Sequence, residues 1–171
     1  MKTVRFIFIG LVIIFISLSG IALLLPSEIT VSRSIEINAP LPKVSGEIIH
    51  LENWNHWNPQ FQERGILLPA NVSAGKNSIA LKNNSGRIVF FTIGRINKDT
   101  INVDLISDND PVSEYQFIVS GLRNETLVTW NVNMKLGWYP WRKVQGIVMD
   151  KFIGPSYETA LQSLKKYVEQ K

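Results

Sequence analysis

Residues 155–171, PSYETALQSLKKYVEQK, form the stretch of sequence that decides the fold. Tyr157, Leu161, Leu164 and Val168 recur at spacings of four and three, with charged and amide side chains between them. That is the period of an amphipathic helix with one apolar stripe. Because most of the stability of such a helix comes from packing, the stretch predicts a long C-terminal helix laid on an apolar surface.

The chain between residues 29 and 136 supplies that surface, since its patterns are typical of strands. Val128, Trp130 and Val132 alternate with polar residues, which indicates one face toward a core and one toward water. Turn-rich segments separate about seven such strands, the weakest of them at residues 61–68. Successive hairpins predict an antiparallel sheet.

Helical patterns flank the strands. Two short helices are predicted after the first strand, at residues 41–50 and 52–57. Residues 142–152 are predicted to be helical as well. Gly154 and Pro155 are expected to introduce the final helix as a separate element, because proline suits a helix's first turn.

The first segment predicts a membrane anchor. Residues 6–25 carry no charge, and as a helix they would span about 30 Å, the hydrocarbon thickness of a bilayer. A cleaved signal peptide is the alternative, but the apolar run continues past the small residues where cleavage would occur. Lys2 and Arg5 favour a cytoplasmic N-terminus. We therefore expect a single-pass anchor over residues 1–26 and an extracytoplasmic domain over residues 27–171, periplasmic if the source is Gram-negative.

Composition excludes several classes of function. The 171 residues are 45% hydrophobic and 19% charged, which suits one domain with a core plus an appendage. The net charge is only +4, and it becomes smaller when Lys2 and Arg5 of the first segment are not counted. No basic face is visible either, so a nucleic-acid partner is not expected. The absence of cysteine removes disulfides, thiol nucleophiles and cysteine-ligated zinc.

Three segments resemble the SRPBCC superfamily, the group of START, birch-pollen-allergen and polyketide-cyclase-like proteins. They are ITVSRSIEINAP at residues 29–40, WNHWNP at residues 54–59, and the final helix from Gly154. The resemblance covers residues 28–170 and implies an α+β helix-grip fold, in which a curved antiparallel sheet wraps around the long C-terminal helix. It also implies an apolar cavity between sheet and helix, used for lipids, polyketides or other hydrophobic molecules. One strand departs from the pattern, because residues 79–84 lack the aromatic that one bacterial branch often has there.

Ten residues are candidates for the lining of that cavity. They are Trp57, Phe61, Phe90, Phe117, Trp130, Met134, Tyr139, Trp141, Tyr157 and Leu161. The alternative is that these aromatic side chains simply fill the core. A third interpretation applies to residues 138–141, WYPW, because tryptophan and tyrosine favour the bilayer interface and Arg142 and Lys143 follow directly.

No catalytic or metal-binding constellation is visible in the sequence. His50 is expected at a helix end, and His56, between two tryptophans, is expected to be packed or exposed rather than catalytic. Six residues separate them, which is not a spacing that places two ligands on one helix face. Residues 108–110 lack the other ligands of a calcium loop. We predict no metal and no cofactor.

Three functions stay open at this point. The favoured one is binding of a hydrophobic small molecule or lipid without chemistry. An enzyme of the cyclase or hydratase type would use His56, Tyr139 or a cavity carboxylate as acid or base. A cavity-poor interaction module would act at the cell envelope through its surface.

Overall fold

The computed structural model of the protein describes residues 2–24, 26–64, 78–82, 86, 88–107, 110–136 and 140–171. Its α-helices are α1 (Lys2–Leu23), α2 (Leu41–Ile49), α3 (Trp54–Trp57), α4 (Pro59–Arg64) and α5 (Pro140–Gln170), with a 3-10 turn at Leu51–Asn53. Its strands are β1 (Glu28–Ile37), β2 (Ser78–Lys82), β3 (Ile88–Asn97), β4 (Thr100–Ser107), β5 (Asp110–Leu122) and β6 (Glu125–Lys135). The strands form one antiparallel sheet in the order β1-β6-β5-β4-β3-β2. The predicted α+β architecture, a sheet with a long C-terminal helix, is confirmed.

The sheet has an inner face toward α5 and an outer face toward solvent. Val31 of β1 lies opposite Val132 of β6, Val132 lies opposite Tyr115 of β5, and Tyr115 lies opposite Val103 of β4. All four are buried, so this row crosses the inner face. The outer face is mostly polar on β1 and β6, and its side chains pair across these strands, as where the Thr30 hydroxyl donates to Asn133 Oδ1 at 2.7 Å. The alternation seen in the sequence thus separates core from water.

The described residues form six strands rather than about seven, because the weakest predicted strand begins as a helix. Pro59 occupies the first position of α4, where its missing N–H costs nothing. Asn58 caps the helix, since its Oδ1 accepts the Gln60 amide at 3.1 Å and its backbone oxygen accepts the Phe61 amide at 3.0 Å. The prediction that residues 61–68 form a strand is therefore wrong over 61–64, and residues 65–77 lie outside the described residues.

The C-terminal helix is longer than predicted. α5 runs without interruption through Pro155, so Gly154 and Pro155 do not begin a separate helix. A proline inside a helix removes one hydrogen bond. The contacts of α5 with β1 hold the helix together across that point, and the Thr159 hydroxyl donates to the Pro155 carbonyl at 2.8 Å. Helix propensity is overridden here by tertiary packing.

Arg33 interrupts the apolar face of β1 and is held by α5. Its Nη1 lies 3.0 Å from Asp150 Oδ1 and donates to the Ser32 carbonyl at 2.7 Å. Its guanidinium also fills the space beside Gly154, where a Cβ would overlap it. One charged residue on the inner face thus fixes where β1 meets the middle of α5.

Within the described part of the chain, α1 is the one helix long and apolar enough to cross a membrane, over Val4–Ile21. Its side chains are almost entirely exposed, and it packs against α5. A signal sequence near an N-terminus meets the same criteria of length and composition. Topology and the point at which the domain begins remain the sequence-based predictions given above.

Candidate functional site

One part of the space between sheet and helix is filled by aromatic side chains. Trp54 lies at its centre, with ring centroids 5.2 Å from Trp57, 5.3 Å from Phe61 and 5.6 Å from Phe117. Trp130 stacks on Phe117 at 4.7 Å. All five are buried, and their edge-to-face and stacked geometries are those that aromatic pairs prefer. We call Trp54, Trp57, Phe61, Phe117 and Trp130 the aromatic cluster.

The Trp-x-x-Trp spacing has a local cause. The last carbonyls of α2 have no partner within that helix. Trp54 Nε1 donates to the Ile48 carbonyl at 2.9 Å, and Trp57 Nε1 donates to the Glu47 carbonyl at 3.4 Å. Two tryptophans three residues apart on one helical turn therefore satisfy the end of α2 while their rings fill the core. This part of the motif is structural.

Trp130 differs from the other two tryptophans because its indole nitrogen is buried without a hydrogen-bond partner among the described residues. The rings of Tyr157 and Tyr115 lie 4.8 Å and 5.3 Å from the Trp130 ring. Their hydroxyl groups are 3.3 Å apart. Burial raises the pKa of Tyr157, and the hydrogen bond with Tyr115 opposes that rise. Three aromatic residues with polar tips thus form a buried polar trio.

The inner face beyond the trio is less well covered than the aromatic cluster. Met134, Leu105, Ile93 and Val89 are half-buried, although they face the same way as the buried Val132 and Val103. Ile153 of α5 is half-buried as well. We define the candidate site as the polar trio Tyr115, Trp130 and Tyr157 together with Leu105, Met134 and Ile153. It joins a few polar groups to apolar side chains, which is the usual composition of a small-molecule pocket.

The structure places nine of the ten predicted lining residues, in four different environments. Trp57, Phe61, Phe117, Trp130, Tyr157 and Leu161 are buried between sheet and helix, and Met134 is half-buried there. Phe90 is a correction, because it lies opposite Ala80 and Ile106 on the outer face of the sheet, while its neighbour Phe91 takes the inner position. Trp141 is a second correction, since it is exposed on α5. Tyr139 lies outside the described residues.

Several residues of the interior were absent from the predicted lining, among them Trp54 and Tyr115. Trp54 is the centre of the aromatic cluster, and Tyr115 supplies one hydroxyl of the trio. The signal for Tyr115 was present, because it alternates with Phe117 and Val119 along one strand. What the sequence lacked was the register that sets Tyr115 directly opposite Val132 and next to Trp130.

Neither histidine faces the interior. His50 caps α2 at its C-terminal end, and its Nδ1 lies 3.3 Å from a carboxylate oxygen of Glu52 at the surface. His56 is exposed and stacks on Tyr167 with ring centroids 5.5 Å apart. Within the described ranges, no three histidine or acidic side chains are grouped in a way that would hold a metal ion. An acid or base at the candidate site would therefore not be His56.

A separate pocket of about 190 Å³ lies on the outer face of the sheet. It is lined by Glu28, Thr30, Asp104, Glu114, Asn133, Met134 and Lys135. Asp104 and Glu114 lie directly opposite each other in the register, an arrangement that costs stability through like-charge repulsion. Met134 lines both this pocket and the candidate site, whereas the other six lining residues lie on the outer face of the sheet.

No protein-family model matches the sequence, and no curated protein matches it. Solved structures do match the fold. A START superfamily protein from Mycobacterium smegmatis is 21% identical over 82% of this chain and 97% of that chain, with a TM-score of 0.64. The Zhui aromatase/cyclase from a Streptomyces species is 10% identical over 84% of this chain and 94% of its own, with a TM-score of 0.63. A protein from Arthrobacter aurescens is 14% identical, covers 83% and 87%, and has a TM-score of 0.58. The chain thus has the helix-grip fold of START and polyketide-cyclase-like proteins, as the resemblance implied.

Proposed function

We propose that this protein is a membrane-anchored helix-grip domain that binds a hydrophobic small molecule or lipid between the sheet and α5. The observation that carries the proposal is the indole nitrogen of Trp130, which is buried without a hydrogen-bond partner among the described residues, in a ring that packs against the rings of Tyr115 and Tyr157. Along the inner face of β6, Val132 follows Trp130, and the half-buried Met134 follows Val132.

A buried donor without a partner costs about 1–3 kcal/mol, so proteins seldom retain one without a reason. The other two tryptophans on the inner side show that this chain otherwise pairs its buried indoles. A ligand with a carbonyl, carboxyl or hydroxyl oxygen would accept from Trp130 Nε1, while its apolar part would cover Leu105, Met134 and Ile153. Ligand pockets typically combine a few polar groups with an apolar wall in this way.

The structural neighbours support a ligand of this class. The names of two of them refer to START proteins and to an aromatase/cyclase, and both share the helix-grip fold with this chain. Fold alone does not transfer activity. The outward position of His56 removes the acid or base that an enzyme would most readily have used, so binding without chemistry is the function we favour.

Anchoring rests on α1. The helix is uncharged over Phe6–Ile21, meets the length of a bilayer span, and leaves its apolar side chains exposed. Lys2 and Arg5, in the first turns of α1, precede this uncharged run and favour a cytoplasmic N-terminus, which would place the sheet and α5 on the other side of the membrane. A ligand taken from the membrane would then have only a short distance to travel to the domain.

The test compares two tryptophan variants of the full chain. Trp130→Phe removes the unpaired donor, and Trp57→Phe makes the same change in volume at a paired indole in the same core. The protein is extracted from membranes in mild detergent, native mass spectra are recorded for co-purified small molecules, and a fluorescent apolar probe, anilinonaphthalene sulfonate, is titrated. We expect bound mass in the wild type, several-fold weaker probe binding in Trp130→Phe, and near wild-type binding in Trp57→Phe. A protein that emerges empty, with equal probe binding in both variants, would contradict the proposal.

A cavity-poor interaction module is the second candidate, favoured by one observation. The aromatic cluster fills a large part of the space that the resemblance implied would be open. If native spectra show no bound mass and the probe does not bind, the remaining surface of the domain becomes the place to look for function.

A further inference from the structure

The exposed surface of α5 carries an apolar stripe on its N-terminal half. Trp141, Val148 and Phe152 are 56%, 45% and 77% exposed, the last a value seldom seen for a phenylalanine on a soluble domain. They are separated by seven and four residues, so a helix brings them onto one face. We call these three residues the α5 stripe. It stays exposed although α1 packs against the same helix.

Charge is arranged around the stripe in a recognisable way. Arg142 and Lys151 are both exposed. At about 100° per residue, Arg142 lies roughly 100° to one side of Trp141 and Lys151 roughly 80° to the other. The acidic side chain of this segment, Asp150, is turned away toward Arg33 on the sheet. An apolar strip with basic residues along its borders is the pattern of a helix lying in the plane of a membrane surface.

The position of the stripe relative to α1 points to the same partner. α1 ends at Leu23, and Ser27 already bonds to the sheet, its carbonyl accepting the Leu136 amide at 2.8 Å. Gly146 of α5 lies directly against Leu136 and Ile29, where a Cβ would overlap the first of these side chains. The N-terminal half of α5 therefore crosses the end of the sheet from which α1 leaves.

We propose that the α5 stripe inserts into the interface of the same lipid bilayer that α1 spans, with Arg142 and Lys151 at the level of the headgroups. This rests on the anchoring part of the proposed function and adds a second contact to it. An amphipathic helix buries its apolar face at the boundary between headgroups and acyl chains. Long basic side chains at its borders extend their charges to the phosphates, and they favour anionic lipid.

Two contacts with the bilayer have a consequence for the candidate site. The stripe and the site lie on the same helix, because Phe152 immediately precedes Ile153, a residue of the site. When Phe152 is held in the interface, the neighbouring Ile153 and the half-buried part of the sheet's inner face stay at the membrane surface. A lipid would then pass from the bilayer to the site over a short distance.

The absence of cysteine makes a direct measurement possible. Single cysteines are introduced into the full chain at Phe152→Cys, at Gln162→Cys on the exposed surface of the C-terminal half of α5, and at Ile13→Cys in α1. Each is spin-labelled and reconstituted in vesicles of phosphatidylcholine with phosphatidylglycerol. Collision rates with oxygen, which concentrates in lipid, and with a water-soluble nickel chelate are then compared.

We expect the ratio of oxygen to nickel collisions at Phe152→Cys to exceed that at Gln162→Cys several-fold and to stay below that at Ile13→Cys, which lies near the middle of the span. A label at residue 152 that is as accessible to nickel as the label at residue 162 would overturn the inference, while a lipid-exposed label at residue 13 would leave the anchor standing. Low collision rates with both reagents at residue 152 would also overturn it, since they would indicate burial against protein, such as a second copy of the chain. A water-exposed label at residue 13 would refute the anchor and the stripe together, without touching ligand binding at Trp130.

Discussion

Both halves of α5 carry an apolar stripe, but one stripe is buried and the other is exposed. In the C-terminal half, Leu161, Leu164 and Val168 are almost completely buried against the sheet. In the N-terminal half, Val148 and Phe152 are exposed. The comparison shows that helical periodicity indicates where an apolar stripe lies, while the neighbours of that stripe decide whether it is buried within the protein or exposed.

The neighbours differ because the sheet ends. The C-terminal half of α5 packs against β1 and the short helices, with Glu169 Oε1 accepting the Asn38 amide at 2.8 Å. The N-terminal half passes Ile29, the second residue of β1, and then has α1 beside it. Beyond that point no strand of the described sheet is left to cover an apolar side chain.

The largest expected effect is a difference between the two halves of α5 in how much a truncated apolar side chain lowers the free energy of unfolding. Leu164→Ala should lower the free energy of unfolding by about 2–5 kcal/mol, because it opens a cavity in a packed core. Phe152→Ala, which removes more atoms, should change it by no more than about 0.5 kcal/mol, because that side chain is 77% exposed. Urea unfolding of the full chain in detergent, followed by tryptophan fluorescence, measures both. Comparable losses of unfolding free energy at the two positions would contradict the difference between the two halves.

The next effect is expected at the junction of the halves. A Cβ at Gly154 would overlap the Arg33 guanidinium, which Asp150 and the Ser32 carbonyl hold in place. Gly154→Ala should therefore displace the guanidinium from both partners, at a net cost of about 1 kcal/mol once the gain of alanine over glycine in a helix is counted. Gly46→Ala is the matched control, because a Cβ there meets nothing within 4 Å, and alanine in that helix should stabilise by roughly 0.5–1 kcal/mol. Thermal unfolding of the two variants should move in opposite directions.

The ion pair at the junction should matter less than the packing. Asp150 is largely exposed, so its pairing with Arg33 resembles a surface salt bridge. Asp150→Asn should cost about 0.2–1 kcal/mol, and most of that difference should vanish at about 1 M salt, where the screening length is near 3 Å. Urea midpoints of wild type and variant at low and high salt provide the test. A loss that high salt leaves unchanged would mean that the aspartate acts through packing.

The smallest effect at neutral pH concerns Tyr157, where the buried half meets the polar trio. Burial raises the pKa of its hydroxyl above the ordinary value of 10.0. Above about pH 10 the unfolded chain loses this proton while the folded chain keeps it, so the contribution to stability is intact below that pH and falls as pH rises further. Tyr157→Phe should remove this part of the alkaline decline. Free energies of unfolding measured from about pH 8 to 11 test it, and parallel curves for both proteins would contradict the prediction.

Much of the fold could be predicted from local patterns. The alternation in β6 and the helical spacing in α2 correspond to the strand and helix observed. Residues 61–64 were predicted as strand and form a helix, because one capping side chain, Asn58, outweighs a short and ambiguous apolar run. Pro155 was expected to begin a helix and instead lies inside one.

Less of the candidate site could be predicted. Phe90 and Phe91 are adjacent and equally apolar, and the register of β3 alone decides that Phe91 enters the core. Trp54, Trp57 and Trp130 are the same residue type, yet two donate to carbonyls of α2 and one has no partner among the described residues. Whether a single indole N–H finds a hydrogen-bond acceptor depends on atoms that are distant in sequence, so no local pattern predicts it.

The sequence by itself determined the classes of element, the apolar N-terminal helix and the presence of an apolar stripe on the last helix, because these depend on periodicity and composition within short windows. Only the tertiary structure decided that α5 is one helix with a covered and an uncovered half, that Arg33 sets its position on the sheet, and that Trp130 meets two tyrosines in the interior. Each of these depends on contacts between strands and helices far apart in the chain. The free energy of such contacts outweighs local preference wherever the two disagree.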